Sequence, residues 1–347
     1  MGFRLLRLPF CALKVVLDLF VAKELLRFSF CSVKCKVLVK SIKLTSVSKD
    51  QKIDLWVGDR RDTIGFLDSR LRLTNLIKIC EIVNLPNALG SLQKVRIGNF
   101  FVPIENQEDS GFLVTYWDDR LEGINEVAKY VMEIFKKPIH YLFLGTWKSK
   151  DDPRWAIDWI NRIQGSIASC YLLEDSEQDD QQITYLLNNS NVTERFFFYL
   201  RTIENFQYTD VRQWNMEVFY VKPSKWVTRD LLLILDCEYI GLEESKLTNQ
   251  DLNSFLKHWS NGGFSKLKEV RIGIDSPVNY DIALEGIEVT RREVTLTRSF
   301  VNFEGAARTI SGGLDIQRGN TIATVDNDPS MLWMVVWANC DANENLS

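Results

Sequence analysis

Histidine is nearly absent: His140 and His258 are the only two in 347 residues. A His-dependent catalytic triad or a His-rich metal site would need these distant residues to converge, and ordinary surface or internally satisfied histidines are the simpler reading. No stretch reads G-x-x-x-x-G-K-[ST] or G-x-G-x-x-G, so phosphate-loop nucleotide binding has no support. A basic excess is missing as well, since the net charge is −4; this argues against a surface built for nucleic-acid backbones. Long apolar runs are also lacking. In the apolar opening stretch, Arg7, Lys14 and Asp18 leave 8–13 as the longest uncharged run, too short for a secretory signal or a membrane helix. A paired cysteine framework is not there either. Cys11, Cys31, Cys35, Cys80, Cys170, Cys237 and Cys340 are odd in number and widely scattered, and no Cys or His pair near Cys31-x-x-x-Cys35 completes a metal set. Cys170 and Cys237 sit in apolar strand-like runs and read as core. The expectation is a cytoplasmic or nuclear protein, not a secreted one, with no cofactor, no metal and no catalytic residue of its own.

What is present is a mixed globular composition, 46% hydrophobic and 25% charged, in a chain long enough for a sizeable core. Near the N-terminus, Leu13, Val16, Leu17 and Phe20 recur at helical spacing, and Pro9 suits a first helical turn. A second apolar segment covers 24–30. Ser32 then caps a third, in which Cys35, Leu38, Val39 and Ile42 share one face. Three short helices in about 40 residues enclose little core, and such a unit calls for a partner. Leu5, Leu6 and Leu8 add apolar surface with little local pattern to bury it, as protein-binding helical modules do.

Phe3-x-Leu5-Leu6-Arg7-Leu8-Pro9, then Ala12-Leu13-x-x-Val16-Leu17, Glu24-Leu25-Leu26 and Ser29-x-Cys31-Ser32-x-Lys34-Cys35-Lys36-x-Leu38-Val39-Lys40 closely resemble an F-box of the large nematode family. Arg4 stands where that family usually has Pro, and Val21-Ala22 replaces its usual Asp-Pro turn. The resemblance implies a docking surface for the Skp-type adaptor of a cullin-RING ubiquitin ligase, formed by Leu6, Leu8, Pro9, Leu13, Val16 and Leu17. From the residues alone, Leu13, Val16 and Leu17 serve equally well as internal core of the helical unit.

Beyond a polar linker at 45–52, helix-like and strand-like segments alternate. In 246–273, Thr248 is an expected N-cap with Asp251 three positions on, and Leu252, Phe255, Leu256 and Trp259 form an apolar face. Gly262-Gly263 ends that helix and 267–272 reads as a strand. A second copy is expected at 73–98, where Leu73-Thr74-Asn75 would open a helix and 92–98 would close the unit. Helix-then-strand readings follow for 126–135 with 139–144, 155–163 with 169–173, 180–187 with 195–200, and 228–235 with 237–242. Units of this kind stack into an α/β solenoid, like leucine-rich repeats, with a parallel sheet. At the C-terminus, Gly319-Asn320 marks a hairpin pairing Leu314 with Val325 and Ile316 with Ala323, and 331–337 supplies a buried strand. This antiparallel hairpin is expected to cap the solenoid. The acidic run 174–180 reads as a solvated loop whose Asp179 and Asp180 favour the next helix. The aromatic clusters 196–199 and 214–226 read as strand core or, alternatively, as recognition surface.

Leu247-Thr248-Asn249-x-x-Leu252-Asn253-x-Phe255-Leu256-Lys257-His258-Trp259, with Asp315-Ile316-x-Arg318, Ala323-Thr324 and Val335-Val336-Trp337, resembles the type 2 F-box-associated domain of the same nematode proteins. The expected organisation is an F-box at 1–44, a linker at 45–52, an F-box-associated α/β domain at 53–340 that is clearest over 180–340, and a tail at 341–347. The resemblance implies a substrate-recognition subunit of an SCF-type E3 ubiquitin ligase, holding the adaptor and, through it, a cullin, with an unknown protein target on the C-terminal domain. The two departures leave open a protein-binding module acting outside the ligase.

Overall fold

The computed structural model of the protein describes residues 5–41, 47, 49–58, 62–68, 72–84, 92–107, 111–145, 147–210 and 212–337, without the side chains of 175–177. Arg4, Cys340 and residues 45, 46 and 48 of the expected linker lie outside them. The fold is mixed α/β and divides into two compact units, Met1–Ala156 and Ile157–Ser347. Among the described residues no helix is long and apolar enough to cross a membrane.

Unit 1 opens with three helices, α1 (Phe10–Asp18), α2 (Ala22–Phe30) and α3 (Val33–Ser41). Pro9 is the N-cap residue of α1, where its lack of an N–H costs nothing. The Val21-Ala22 departure does not fuse the first two helices: the Val21 amide donates to the Glu24 carboxylate at 3.0 Å, and α2 starts afresh. Ser32 caps α3 as expected, its hydroxyl accepting the Cys35 amide at 3.2 Å.

The strands of unit 1 are β1 (Lys52–Val57), β2 (Thr63–Leu67), β3 (Leu73–Glu81), β4 (Gln93–Ile97), β5 (Phe100–Asn106), β6 (Leu113–Trp117) and β7 (Ile139–Gly145), in the order β7-β1-β2-β3-β6-β5-β4. The pairs β1–β2, β2–β3, β4–β5 and β5–β6 are antiparallel. The helix–strand repeat therefore does not extend through this unit. The expected helix after Leu73 is a correction: this stretch is β3, paired with β2. The physical reason lies three residues past the threonine of the shared triplet. Thr248 has Asp251 there to close a capping box, whereas Thr74 has Ile77, whose alternation with Ile79 suits a pleated sheet. The long helix α4 (Arg120–Phe135) is capped by Asp119, which accepts from the Leu121 and Glu122 amides, and it buries Ile124, Val127, Val131 and Ile134 along one stripe. Helix α5 (Asp152–Gln164) carries the chain from one unit into the next.

In unit 2 the helix–strand alternation is realised. Strands β8 (Ile167–Gln178), β9 (Val192–Thr202), β10 (Val218–Val221), β11 (Tyr239–Ser245) and β12 (Glu269–Ile274) pair in that order, each parallel to the next. Helices α6 (Asp180–Asn189), α7 (Arg229–Leu233) and α8 (Asn249–Ser260) lie between them in sequence. The Thr248–Asp251 capping box forms, and Leu252, Phe255, Leu256 and Trp259 are buried. Asp179 caps α6 through the Gln182 amide, but the acidic run before it is not a loop: 174–178 belongs to β8. A short helix, α9 (Tyr280–Ala283), leads to β13 (Val289–Val301), β14 (Ala307–Arg318), β15 (Thr321–Val325) and β16 (Leu332–Trp337), antiparallel and in the order β13-β14-β15-β16-β12. The expected register is observed, Leu314 opposite Val325 and Ile316 opposite Ala323, with Gly319 at φ +56° in the turn.

Candidate functional site

Two surfaces qualify, one on each unit. On unit 1, Leu13, Leu17, Leu25, Leu26, Cys35 and Val39 form the interior of the helical segment. Outside this interior, Lys23 donates to the Gly111 carbonyl at 2.7 Å, and further attachments run to α4. The Ser29 hydroxyl lies 3.0 Å from that of Tyr130, and Phe30 stacks on the Tyr130 ring at 5.1 Å. Lys36 and Lys40 flank Glu133 at 2.7 and 2.6 Å. Burial pushes the Tyr130 phenol up to about 12. Part of the apolar surface of these helices, at Phe30, is thus absorbed by α4. The rest stays in solvent: Leu6, Phe10, Val15, Leu19, Val21, Val33 and Val37 are all exposed, Val15 and Leu19 by 62% and 78%. Ala12, Val15 and Leu19 follow i, i+3, i+7 spacing, and Val33 and Val37 are one turn apart, so each set shares a helix face.

Of the six residues expected at the adaptor surface, Leu6 and Pro9 are exposed, Leu8 and Val16 half-buried, and Leu13 and Leu17 buried. Phe10, Val15 and Leu19 were not singled out by periodicity. They are apolar but out of phase with the 13–16–17–20 stripe, and that mismatch is the signal that could have found them.

On unit 2, alternation along the parallel strands separates two faces. Phe196, Phe198, Phe219, Ile240, Leu242, Val270 and Ile272 are buried, with Trp214 against Phe196 at 5.6 Å and Trp226 against Phe198 at 5.5 Å. The opposite face carries a row set by register: Tyr171, Phe197, Tyr220, Gly241, Arg271 and then Trp333 of β16 stand side by side. Tyr171 and Phe197 stack at 4.5 Å. Gly241 is required here, because a Cβ at this position would meet the Tyr220 ring at 2.4 Å. The aromatic clusters of the sequence therefore divide: alternate residues are core, and their neighbours line the opposite sheet face, where Phe197 is covered by its aromatic neighbours.

Phe303, in the β13–β14 connection, reaches across this face to Phe197 and Tyr239 at 6.0 and 5.8 Å. Beneath it lies a cavity of about 160 Å³ lined by Tyr220, Tyr239, Glu243, Glu269, Arg271 and Phe303, among others. Along the strand ends runs a wider groove of about 580 Å³, with Tyr199, Arg201, Lys222, Lys225, Glu244 and Lys246 among its walls. Glu243 accepts from the Tyr220 hydroxyl and pairs with Lys222 at 2.6 Å. Burial pushes the Tyr220 phenol well above its ordinary value, and the bond to Glu243 pushes it further. Burial alone would raise Glu243, but the Lys222 and Tyr220 hydrogen bonds outweigh it and hold the carboxyl low.

The two histidines, Cys170 and Cys237 lie on separate segments of the chain. His140 is in β7 of unit 1 and His258 in α8 of unit 2. Cys170 and Cys237 are fully buried, and burial pushes both thiols up to about 12, which suppresses the nucleophilic thiolate. Among the described residues no group of three or more His, Cys, Asp or Glu is placed to hold a metal. The buried cluster of Arg120 with Asp62 and Asp152 in unit 1 is internally closed. Arg120 Nη2 meets Asp62 Oδ1 and Nη1 meets Asp152 Oδ2, both at 2.9 Å, while the Gly58, Lys148 and Ser149 amides supply further donors.

The comparison with known families bears on unit 2. A family described as F-box associated matches residues 202–272, from the end of β9 through most of β12. The chain carries an F-box-associated domain. Proteins of Caenorhabditis elegans are similar to it. The uncharacterized protein F59B2.9 is 22% identical over 236 residues, 64% of this chain and 53% of that protein. Skn-1 dependent zygotic transcript 15 protein is 22% identical over 285 residues, 79% of this chain and 80% of its own length. A 75-residue stretch is 32% identical to part of E3 ubiquitin-protein ligase hecw-1, covering 22% of this chain and 6% of that protein. The chain thus spans about half the length of F59B2.9. No solved structure matches. The F-box-associated segment supplies β10, β11 and most of β12, so Tyr220, Gly241 and Arg271 of the open face fall within it.

Proposed function

We propose that this protein is a substrate-recognition subunit of an SCF-type E3 ubiquitin ligase, non-catalytic itself, with α1–α3 as an F-box for a Skp-type adaptor and the F-box-associated domain as the receptor for a protein target. The observation that carries the adaptor half is the set of exposed apolar side chains on α1–α3, held on helices whose interior is already filled. Leu6, Pro9, Phe10, Val15 and Leu19 make the contact in this reading. Leu13 and Leu17 support it from below, and Leu8 and Val16 lie at its margin. Ubiquitin transfer would be accelerated by raising the effective concentration of target lysines near the loaded enzyme.

The test is capture of a purified Skp-type adaptor by the intact chain. Leu6→Asp with Val15→Asp is expected to abolish capture without unfolding the protein, since both side chains are exposed. Absence of binding by the unaltered chain, under conditions where a standard F-box binds, overturns the proposal. A second reading, a protein-binding module acting outside the ligase, draws on the docking of α2 and α3 onto Tyr130 and Glu133, which gives the helices a structural role within unit 1. The same capture experiment separates the two.

A further inference from the structure

We propose that the cavity under Phe303 takes the cationic head of a lysine or arginine side chain from an extended segment of the target protein. The proposal rests on the target-receptor reading of unit 2 and gives it a ligand chemistry.

The argument begins at Glu269, which is 3% exposed and lines the cavity. One carboxylate oxygen, Oε1, is crowded with donors: Arg271 Nε at 2.8 Å, Arg271 Nη2 at 2.7 Å and Trp333 Nε1 at 3.1 Å. The other, Oε2, is buried with no hydrogen-bond partner. A buried carboxylate oxygen deprived of a donor is costly, and an incoming N–H removes that cost. Arg271 cannot supply it in this arrangement. Two of its nitrogens already converge on Oε1, and its guanidinium lies over the Trp333 ring at 5.0 Å.

The remaining walls favour the same ligand. Glu243, Glu269 and Glu304 line the cavity against one internal cation, Arg271; Lys222 reaches in only as far as Glu243. Tyr220, Tyr239 and Phe303 present aromatic rings, which attract a cation through their negative faces. A donor-bearing cation meets all three features, whereas a neutral apolar side chain would leave Oε2 as it is. A volume of about 160 Å³ suits one side chain rather than a folded surface. The groove at the strand ends, whose wall residue Lys222 pairs with Glu243 of the cavity at 2.6 Å, offers a path for the chain that bears it.

Selection of random dodecapeptides displayed on phage against the intact protein tests this. The expected outcome is enrichment of Lys or Arg at one fixed position. Replacing that residue by citrulline or Gln is expected to weaken binding by about tenfold or more. Glu269→Gln should erase the basic preference. Because Glu269 is buried, Tyr239→Ala serves as a second variant that leaves the carboxylate in place and should also weaken binding of the basic peptide. Failure to select peptides, selection without a fixed basic position, or a basic preference that survives Glu269→Gln overturns the proposal. Adaptor capture on the same preparation distinguishes the two ideas. Peptide selection without adaptor capture sinks the ligase reading and leaves the cavity assignment standing; the converse sinks only the cavity.

Discussion

At the scale of single residues, the motif that identifies the C-terminal half serves chiefly to hold it together. Thr324 is fully buried and acts as a hub: its hydroxyl donates to Asp315 at 2.6 Å and accepts from Trp337 Nε1 at 2.8 Å and Arg298 at 2.9 Å. Arg318 donates to the Gly263 carbonyl at 2.8 Å and lies over Trp259 at 4.7 Å, fastening β14 to the C-terminal end of α8, where a cation is favoured. Asp315, Arg318, Thr324, Trp337 and Trp259 all belong to the stretches that resemble the family, so the resemblance is legible because it records packing. The open face escaped that reading, since its chemistry sits on alternate residues between the core positions. Thr324→Val keeps the shape but strands the Trp337 indole. The expected cost is on the order of 1–3 kcal/mol, read as a lower denaturation midpoint by tryptophan emission. Thr324→Ser, which retains the hydroxyl, should recover most of it; equal loss in both variants would show that the methyl, and not the hydrogen bonds, matters.

At the scale of elements, helices were legible wherever a cap and a 3.6-residue stripe agreed, as in α8 with Thr248, Asp251 and its four buried apolar residues. They were misread where the triplet recurred without the cap, as in β3. The docking of α3 was not legible at all, because it joins Lys36 and Lys40 to Glu133 across about a hundred residues of chain. Burial by itself would raise the Glu133 carboxyl, but hydrogen bonds from Lys36 and Lys40 outweigh it and hold it below the ordinary range. The sign follows from linkage. A depressed carboxyl contributes stability that is fully present above the unfolded value, about 4.3, and is lost as pH falls through the folded value. Glu133 is more than a third exposed, so the contribution is modest and salt-sensitive. Hydrogen exchange in α3, corrected for intrinsic rates, should therefore speed up in the native protein between about pH 6 and about pH 3.5. In Glu133→Gln it should already be fast at neutral pH and change less on acidification. An identical acid response in both proteins would remove Glu133 from the docking of α3.

For the whole molecule, the alternation of unit 2 could be read from sequence, but the open face could not. Its row from Tyr171 to Trp333 is assembled by register between strands separated by tens of residues, and a local pattern does not encode that register. Function in the proposed reading needs both surfaces in one chain, since recruitment works by effective concentration and fails when either contact is lost. The surfaces use different residues on different units, so they should be separable. Leu6→Asp with Val15→Asp is expected to lose adaptor capture while keeping selection of basic peptides, and Glu269→Gln the reverse. In a reconstituted ubiquitination assay with a target bearing the selected basic segment, each variant should lose transfer. Adding the two proteins together should not restore it, because neither joins adaptor to target. Cysteine footprinting keeps this interpretable. Cys11 and Cys31 are exposed and should be alkylated in the native protein, while the buried Cys170 and Cys237 should resist until unfolding. A variant in which Cys170 or Cys237 reacts has lost its fold and is set aside. If a folded Glu269→Gln protein also lost adaptor capture, the two surfaces would be one coupled device, and the division of labour proposed for the two units would fall.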